Sequence, residues 1–157
     1  MTQATTTLLI TLFLFTFSAQ SQHRKADEKA VRKIIHTLFD GMRNGDSSLV
    51  RPLFHPAATM GTIMTGRDGN TVYRSESSPA GFVSAVGSKH AEIWDERIGK
   101  IAVTIDADMA IATTPYSFYR GTTFSHCGVN AFTLVRLEGN WQIVAITDTR
   151  RKTDCPK

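Results

Sequence analysis

The chain has 157 residues, 41% of them hydrophobic and 20% charged, and its 18 Lys and Arg against 14 Asp and Glu leave a net charge of +4. These proportions fit one ordinary globular domain; they exclude a collagen-like or disordered chain, a cysteine-rich scaffold and a multi-span membrane protein. The positive charge is dispersed, and its densest run, Arg150-Arg151-Lys152, has no nucleic-acid-binding motif beside it, so no nucleic-acid partner is expected.

Residues 1–22 carry no charged side chain. Within them Leu8–Phe17 is apolar except for Thr11 and Thr16. A bilayer-spanning helix needs about 20 apolar residues, so this run is too short to span and suits the apolar centre of a secretory signal. Ala19 and Ser21 place small residues for a cleavage before Gln22, with Ser18 or Ala19 as alternative cut points; the usual Lys or Arg before the apolar run is missing. The expectation is a signal peptide over 1–21 and a single domain over 22–157. The mature chain then has no stable membrane span and lives in a periplasmic or secreted, oxidising setting.

From residue 27 the pattern is helical. Val31, Ile34, Ile35, Leu38, Phe39 and Met42 form one apolar stripe on a helix over about Asp27–Asn44, ended by Asn44-Gly45. Asp46 caps a short second helix over Ser47–Phe54, and His55-Pro56 makes an extended turn. A strand over Ala57–Thr65, a turn at Gly66–Asn70 and a strand over Thr71–Arg74 follow. Ser78-Pro79 opens a third helix that turns Phe82, Val83 and Val86 inward and closes at Gly87.

After Ala91 the period changes to that of strands: Glu92–Ile105, Met109–Arg120, Thr123–Glu138 and Trp141–Lys152, joined by short turns and hence antiparallel. Strands this long must bend, and Gly99, Pro115 and Gly128 are the candidate bend points. Helices followed by a curved antiparallel sheet make an α+β domain.

Hairpin register assigns faces. With Leu137 opposite Trp141, Phe132 faces Ile146, Asn130 faces Asp148, and one face carries His126, Asn130, Phe132, Leu134, Val144, Ile146, Asp148 and Arg150. The other carries Cys127, Val129, Ala131, Val135, Trp141, Ile143 and Ala145. Two apolar faces call for two covers, helices on one and a second copy of the chain on the other, so a homodimer is expected. With Tyr119 opposite Thr123, Tyr116 meets His126; a one-residue slip puts Ser117 there instead.

Tyr116, His126, Asn130, Asp148 and Arg150 thereby converge at the polar end of an apolar wall that includes Phe132, as in a small-molecule pocket. Three roles stand open: a structural network, ligand recognition, or proton transfer with His126 or Asp148 as base and Tyr116 and Arg150 as electrophilic partners. Glu92, Trp94 and Glu96 alternate onto one face; they line a pocket mouth or pair with Arg97 and Lys100 at the surface. The five histidines have no HxH or HExxH spacing and the two cysteines no CxxC, so neither metal nor cofactor is indicated. Cys127 falls opposite Arg151, which leaves Cys155 within disulfide range only if the tail folds back.

The block Gly45-Asp46-Ser47-Ser48-Leu49-Val50-Arg51-Pro52-Leu53-Phe54-His55-Pro56-Ala57-Ala58 and the ending Gly139-Asn140-Trp141-Gln142-Ile143-Val144, set in this order of elements, resemble the NTF2-like (nuclear transport factor 2-like) superfamily. Within it the likeness is to the small proteins of the "putative lumazine-binding" and SnoaL-like families, and it covers residues 27–151. The resemblance implies a conical, cystatin-like α+β barrel: N-terminal helices on a strongly bent antiparallel sheet, a pocket inside, and often a dimer through the outer face. It implies a small-molecule ligand or, in the ketosteroid-isomerase-like, cyclase and dehydratase members, cofactor-independent catalysis; a non-catalytic dimeric interaction domain, its cone filled and its outer face the working surface, is the third alternative. The isomerase Tyr/Asp pattern has no residue-by-residue match, and the fold selects no function.

Overall fold

The computed structural model describes residues 4–155, with side chains from residue 22 onward. Helix α1 (Ala4–Asn44) leads through the single turn α2 (Ser47–Val50) and a 3-10 turn, Arg51–Leu53, into β1 (Phe54–Thr65) and β2 (Thr71–Glu76). Helix α3 (Ala80–Val86) precedes β3 (Trp94–Ile98), β4 (Ala102–Asp106), β5 (Met109–Arg120), β6 (Thr123–Leu137) and β7 (Asn140–Arg150). The signal sequence expected over 1–21 lies outside the described residues in its first three positions and in all its side chains. Among the described residues no helix is long and apolar enough to cross a membrane.

The stripe on α1 is buried as its spacing requires: Val31, Ile35, Leu38, Phe39 and Met42 enter the core, with Ile34 on its flank. Phe39 meets Phe132 of the sheet edge to face, centroids 6.3 Å apart. Asp46 caps α2, its Oδ1 accepting from Ser48 N at 2.9 Å and Leu49 N at 3.2 Å. That helix stops at Val50, short of the expected Phe54, because Pro52 falls in the 3-10 turn and Phe54 is already extended. His55-Pro56 therefore lies inside β1, where the register against β7 is broken between Phe54 and Thr59; proline has no N–H for the ladder.

Asp27 fastens α1 to the sheet. Its Oδ1 accepts from Arg136 Nη1 at 2.8 Å and from the Trp141 indole N–H at 3.3 Å. Burial works against its ionisation, but Trp141, Arg136 and His23 outweigh it and hold the carboxyl below its ordinary value. The contribution is present at neutral pH and fades as acid protonates the group. Asp27→Ala is expected to cost about 2 kcal/mol at pH 7, with wild type and variant converging at low pH in urea denaturation.

The strand order is β2-β1-β7-β6-β5-β3, with β4 also on β5. The sheet is mixed, not wholly antiparallel: β1 runs parallel to β7 while the other pairs are antiparallel. No hairpin joins β1 to β7, so no turn imposes an antiparallel sense. The sheet also stays open, with β2 at one edge and β3 and β4 at the other, and does not close into a barrel. The single strand expected over Glu92–Ile105 is two. Ile98 pairs with Tyr116 and Ala102 with Thr113, so residues 99–101 bulge against Thr114 and Pro115, and Gly99 N donates to Pro115 O at 2.8 Å.

Two turns are tighter than expected, and each is followed by a bulge. Glu138 (φ 50°) and Gly139 (φ 81°) are both left-handed, so a two-residue loop pairs Leu137 with Asn140 instead of Trp141. An extra residue at Val144 then restores the expected register, and Phe132 meets Ile146 and Asn130 meets Asp148. Between turn and bulge the faces are exchanged: Trp141 and Ile143 point into the core with Leu134. In the preceding hairpin Arg120 pairs with Thr123, and a bulge at Ser125 sets His126 opposite Phe118 and Tyr116 opposite Gly128. Neither register expected for Tyr116 occurs, yet His126 stays on its face, because the two offsets together shift the pairing by two.

Cys127 bridges to Arg151 as expected. The tail then bends back, with Arg151 Nε donating to Asp154 O at 2.9 Å, and Cys155 comes within 5.6 Å of Cys127, Cα to Cα, in a disulfide. A crosslink across 28 residues stabilises by about 2–4 kcal/mol through loop closure. It also anchors the end of β7 that carries Arg150.

Candidate functional site

Register sorts the inner face into rows across the strands. Arg74, Thr62, Asp148, Asn130 and Thr114 form one row. In the next, Arg150 neighbours Met64, and Tyr116 neighbours Gly128 and Ile98. His126, Phe118 and Glu96 make a third, and Arg120 with Trp94 the last.

Gly128 is the gap that organises this face. A Cβ there would overlap Thr149 O and lie 2.9 Å from Tyr116 Cε1. Without one, the Tyr116 ring crosses to β7 and its hydroxyl lies 2.9 Å from Asp148 Oδ2 and 3.0 Å from Thr149 O. Asp148 is the hub. Its Oδ1 accepts from Thr62 Oγ1 at 2.6 Å, and its Oδ2 also accepts from Arg150 Nε at 2.7 Å. Both oxygens are taken and the residue is buried, so its geometry is that of an anchor. Burial and the Asp148 charge push the Tyr116 phenol well up, and it remains a protonated donor.

In front of this anchor lies a cavity of about 450 Å³. Its apolar wall is Met42 of α1, Met60 and Met64 of β1, Phe82 of α3, Trp94 of β3 and Phe118 of β5. Its polar groups are Thr62, Arg74, Glu76, Glu96, Arg120, His126 and Arg150. His90 stacks on Trp94 at 3.9 Å and its Nε2 donates to Ala85 O at 2.7 Å, which fixes the Trp94 side of the cavity against α3.

Two titratable groups in the wall are strongly perturbed. Glu96 accepts from Asn130 Nδ2 at 2.7 Å. Desolvation dominates its behaviour; the Asn130 bond and Arg150 oppose it and Asp148 assists it, and the carboxyl is pushed up to about 7. His126 is pushed down to about 4 by desolvation and by Arg150, Arg120 and Lys152, against the pull of Asp148. It is a neutral imidazole at physiological pH, 5.0 Å from the Phe118 ring and 5.7 Å from Tyr116, centroid to centroid.

The structure thus brings Tyr116, Asp148 and Arg150 into hydrogen-bond contact. It places His126, Arg150 and Trp94 in the cavity wall and joins Asn130 to Glu96 rather than to Asp148. Phe132 packs in the core behind the wall, and Glu92 is exposed beside Gly121, so neither lines the cavity. The surface pairing of Glu96 with Arg97 and Lys100 does not form; Arg97 binds Asp95 at 2.7 Å and lies over the Tyr119 ring. Sequence reasoning placed Glu96 on one face with Trp94, at a pocket mouth or in a surface pair, but did not single it out as the titrating group of the site. It missed Met60, Met64 and Arg74 because they come from strands brought in by long-range pairing. Among the described residues no cluster of His, Cys, Asp and Glu has the makings of a metal site.

Solved structures share this architecture at low identity. An NTF2-like protein with a cystatin-like fold from Novosphingobium aromaticivorans superposes with a TM-score of 0.70 at 17% identity, covering 88% of this chain and 91% of its own. A protein described as a putative dehydratase from the NTF2-like family, from Streptomyces avermitilis, gives 0.64 at 13% identity, covering 82% and 98%. An NTF2-like protein of unknown function from Shewanella baltica gives 0.58 at 14% identity, covering 82% and 96%. Among curated proteins none matches significantly. The family described as "Putative lumazine-binding" matches residues 26–147, from the last turns of α1 to the middle of β7, and this chain belongs to that family, with an NTF2-like, cystatin-like α+β fold.

Proposed function

We propose that this protein is an exported binding domain that holds a small, partly apolar ligand in the cavity between its helices and the inner face of its sheet. The observation that carries the reading is the cavity itself: about 450 Å³, walled by Met, Phe and Trp side chains, with a few Arg, Glu, Thr and His side chains set among them. The family's description supports it. The test uses the uncharged fluorescent probe N-phenyl-1-naphthylamine. Saturable binding to the wild type, lost in Ala85→Trp with the circular dichroism unchanged, is the expected result, since Ala85 lies in the cavity wall. If neither this probe nor its sulfonated analogue 8-anilinonaphthalene-1-sulfonate binds the wild type, the reading is overturned.

Export rests on the uncharged, apolar start of the chain, and the disulfide suits an oxidising compartment. Terminal sequencing of the protein from the host's extracytoplasmic fraction should begin at Gln22. A second copy is the proposed cover for the outer face, where Ile63, Met109 and Ile111 are exposed. Even without Trp141 and Ile143, this face remains a broad one of Thr, Ala and Ile. Sedimentation equilibrium reads the outcome directly.

One observation favours a second reading, a cofactor-independent proton-transfer enzyme. A carboxyl near pH 7 at a cavity wall is poised for general acid–base work. That role would fall to Glu96, because Asp148 has its oxygens engaged and His126 is too weak a base. Loss of turnover in Glu96→Gln with ligand binding retained would mark this reading.

A further inference from the structure

Resting on the binding reading above, we propose that the cavity selects a ligand with an apolar body and a single oxyanion head, a carboxylate or sulfonate, seated between Arg120 and Arg150 beside His126.

The charges around the wall are unevenly placed. Arg150 gives its Nε to Asp148, which leaves both terminal nitrogens of its guanidinium free of any hydrogen bond among the described residues. Arg120 also lines the cavity, and among the described residues it has no hydrogen-bond or ion-pair partner. These two cations flank His126, and Lys152 lies near enough to add to the positive field there. The acidic residues of the wall do not cancel them. Glu76 sits on the edge strand β2 two positions from Arg74, four strands away from Arg120 on β5. Asp148 is spent on Arg150, Tyr116 and Thr62. Glu96 is the remaining carboxyl, and the desolvation of its site keeps it largely protonated below neutrality.

Two guanidiniums with unfilled donors beside a neutral imidazole fit an oxyanion, which takes charge-assisted bonds from planar forks of this kind. Methionine and aromatic side chains fill the rest of the wall and fit an apolar body. A doubly charged head would place excess negative charge against Glu96, so a single charge is preferred.

The experiment compares 8-anilinonaphthalene-1-sulfonate with N-phenyl-1-naphthylamine, which share an aromatic body and differ in the sulfonate. At pH 6 and low salt the full chain should bind the sulfonate at least tenfold more tightly. That ratio should fall toward one in Arg120→Gln, and it should be unchanged in Arg97→Gln, which removes the same charge from an arginine engaged elsewhere. 2-Naphthoate should displace the sulfonate probe, and 2-naphthylmethanol at the same concentration should not; displacement by both equally counts against an oxyanion site. Equal affinity for the two probes, abolished together by Ala85→Trp, overturns the anion preference and leaves the binding reading standing. A sulfonate preference that survives Arg120→Gln or Ala85→Trp locates the anion elsewhere and overturns the proposal. Failure of both probes to bind overturns the binding reading and the proposal with it.

Discussion

Replacing Asp148 with alanine is expected to lower the stability of the fold by about 3 kcal/mol, more than any other single polar truncation on the inner face. The variant strips an acceptor from three donors at once: Thr62 Oγ1, the Tyr116 hydroxyl and Arg150 Nε. Tyr116 keeps a bond to Thr149 O, so its loss is partial. Arg150 loses its counter-charge, and the part of its side chain that is buried is left with an uncompensated guanidinium. With the Arg150 side chain 43% exposed, water recovers some of that energy, which holds the figure below that of a fully buried pair. The measurement is urea unfolding followed by tryptophan fluorescence, with a lower midpoint and an unchanged slope. Asp148→Asn should fall between, since one amide oxygen still accepts from Thr62. Tyr116→Phe should cost about 1 kcal/mol, the worth of one hydroxyl whose partners remain. An Asp148→Ala variant no less stable than Tyr116→Phe would contradict the hub and return Asp148 to the list of candidate bases.

The same residues show what the chain's pattern revealed and what it hid. Parity along a strand is a local property, so Asn130 opposite Asp148 and Phe132 opposite Ile146 were legible from hairpin reasoning alone. What defeated the pattern was one extra residue in each of two strands. Val144 and Ser125 bulge after tight turns, and the first carries Trp141 and Ile143 from the expected outer face into the core. Nothing in the composition near Val144 announces a bulge; the φ of Glu138 does, and a non-glycine residue rarely signals a left-handed conformation. The parallel contact of β1 with β7 was hidden for a different reason. Their pairing spans most of the domain, and no turn between them carries a register signal. A quarter of the cavity wall comes in through that contact, as Met60, Gly61, Thr62 and Met64 of β1. The stripe of α1 and the cap at Asp46 are settled by neighbours in sequence, and both were readable; the tail's return to Cys127, 28 residues earlier, was left open by the sequence. Glu96 stood in plain view two residues from Trp94, but its setting depends on Asn130 of β6 reaching it across β5, which only the assembled sheet supplies.

Glu96→Gln is expected to remove a fall in stability between pH 4.5 and about 7 that the wild type shows. A carboxyl raised from 4.5 to about 7 binds a proton in the folded chain that the unfolded chain releases above pH 4.5. Over that window the native state holds more protons than the unfolded state, so stability falls as pH rises and levels off above about 7. Ionised Glu96 then costs about 3 kcal/mol, the equivalent of the displacement from 4.5. The groups facing it are Asn130 on β6, Asp148 and Arg150 on β7 and Tyr116 on β5; Arg150 alone among them carries a positive charge, and Asp148 already holds it. Glutamine has no proton to lose, and its side-chain oxygen still accepts from Asn130 Nδ2. The variant should match the wild type at pH 4 and exceed it by up to about 3 kcal/mol at pH 8, read as a divergence of urea midpoints across that range. Parallel midpoints from pH 4 to 8 would mean that Glu96 ionises as an ordinary surface carboxylate. The consequence reaches the ligand: once Glu96 is charged, the cavity wall repels the oxyanion that Arg120 and Arg150 attract. Sulfonate-probe affinity should therefore weaken above pH 7 in the wild type and stay level in Glu96→Gln, so that one carboxyl sets both the stability of the empty domain and the pH range in which it holds an anion.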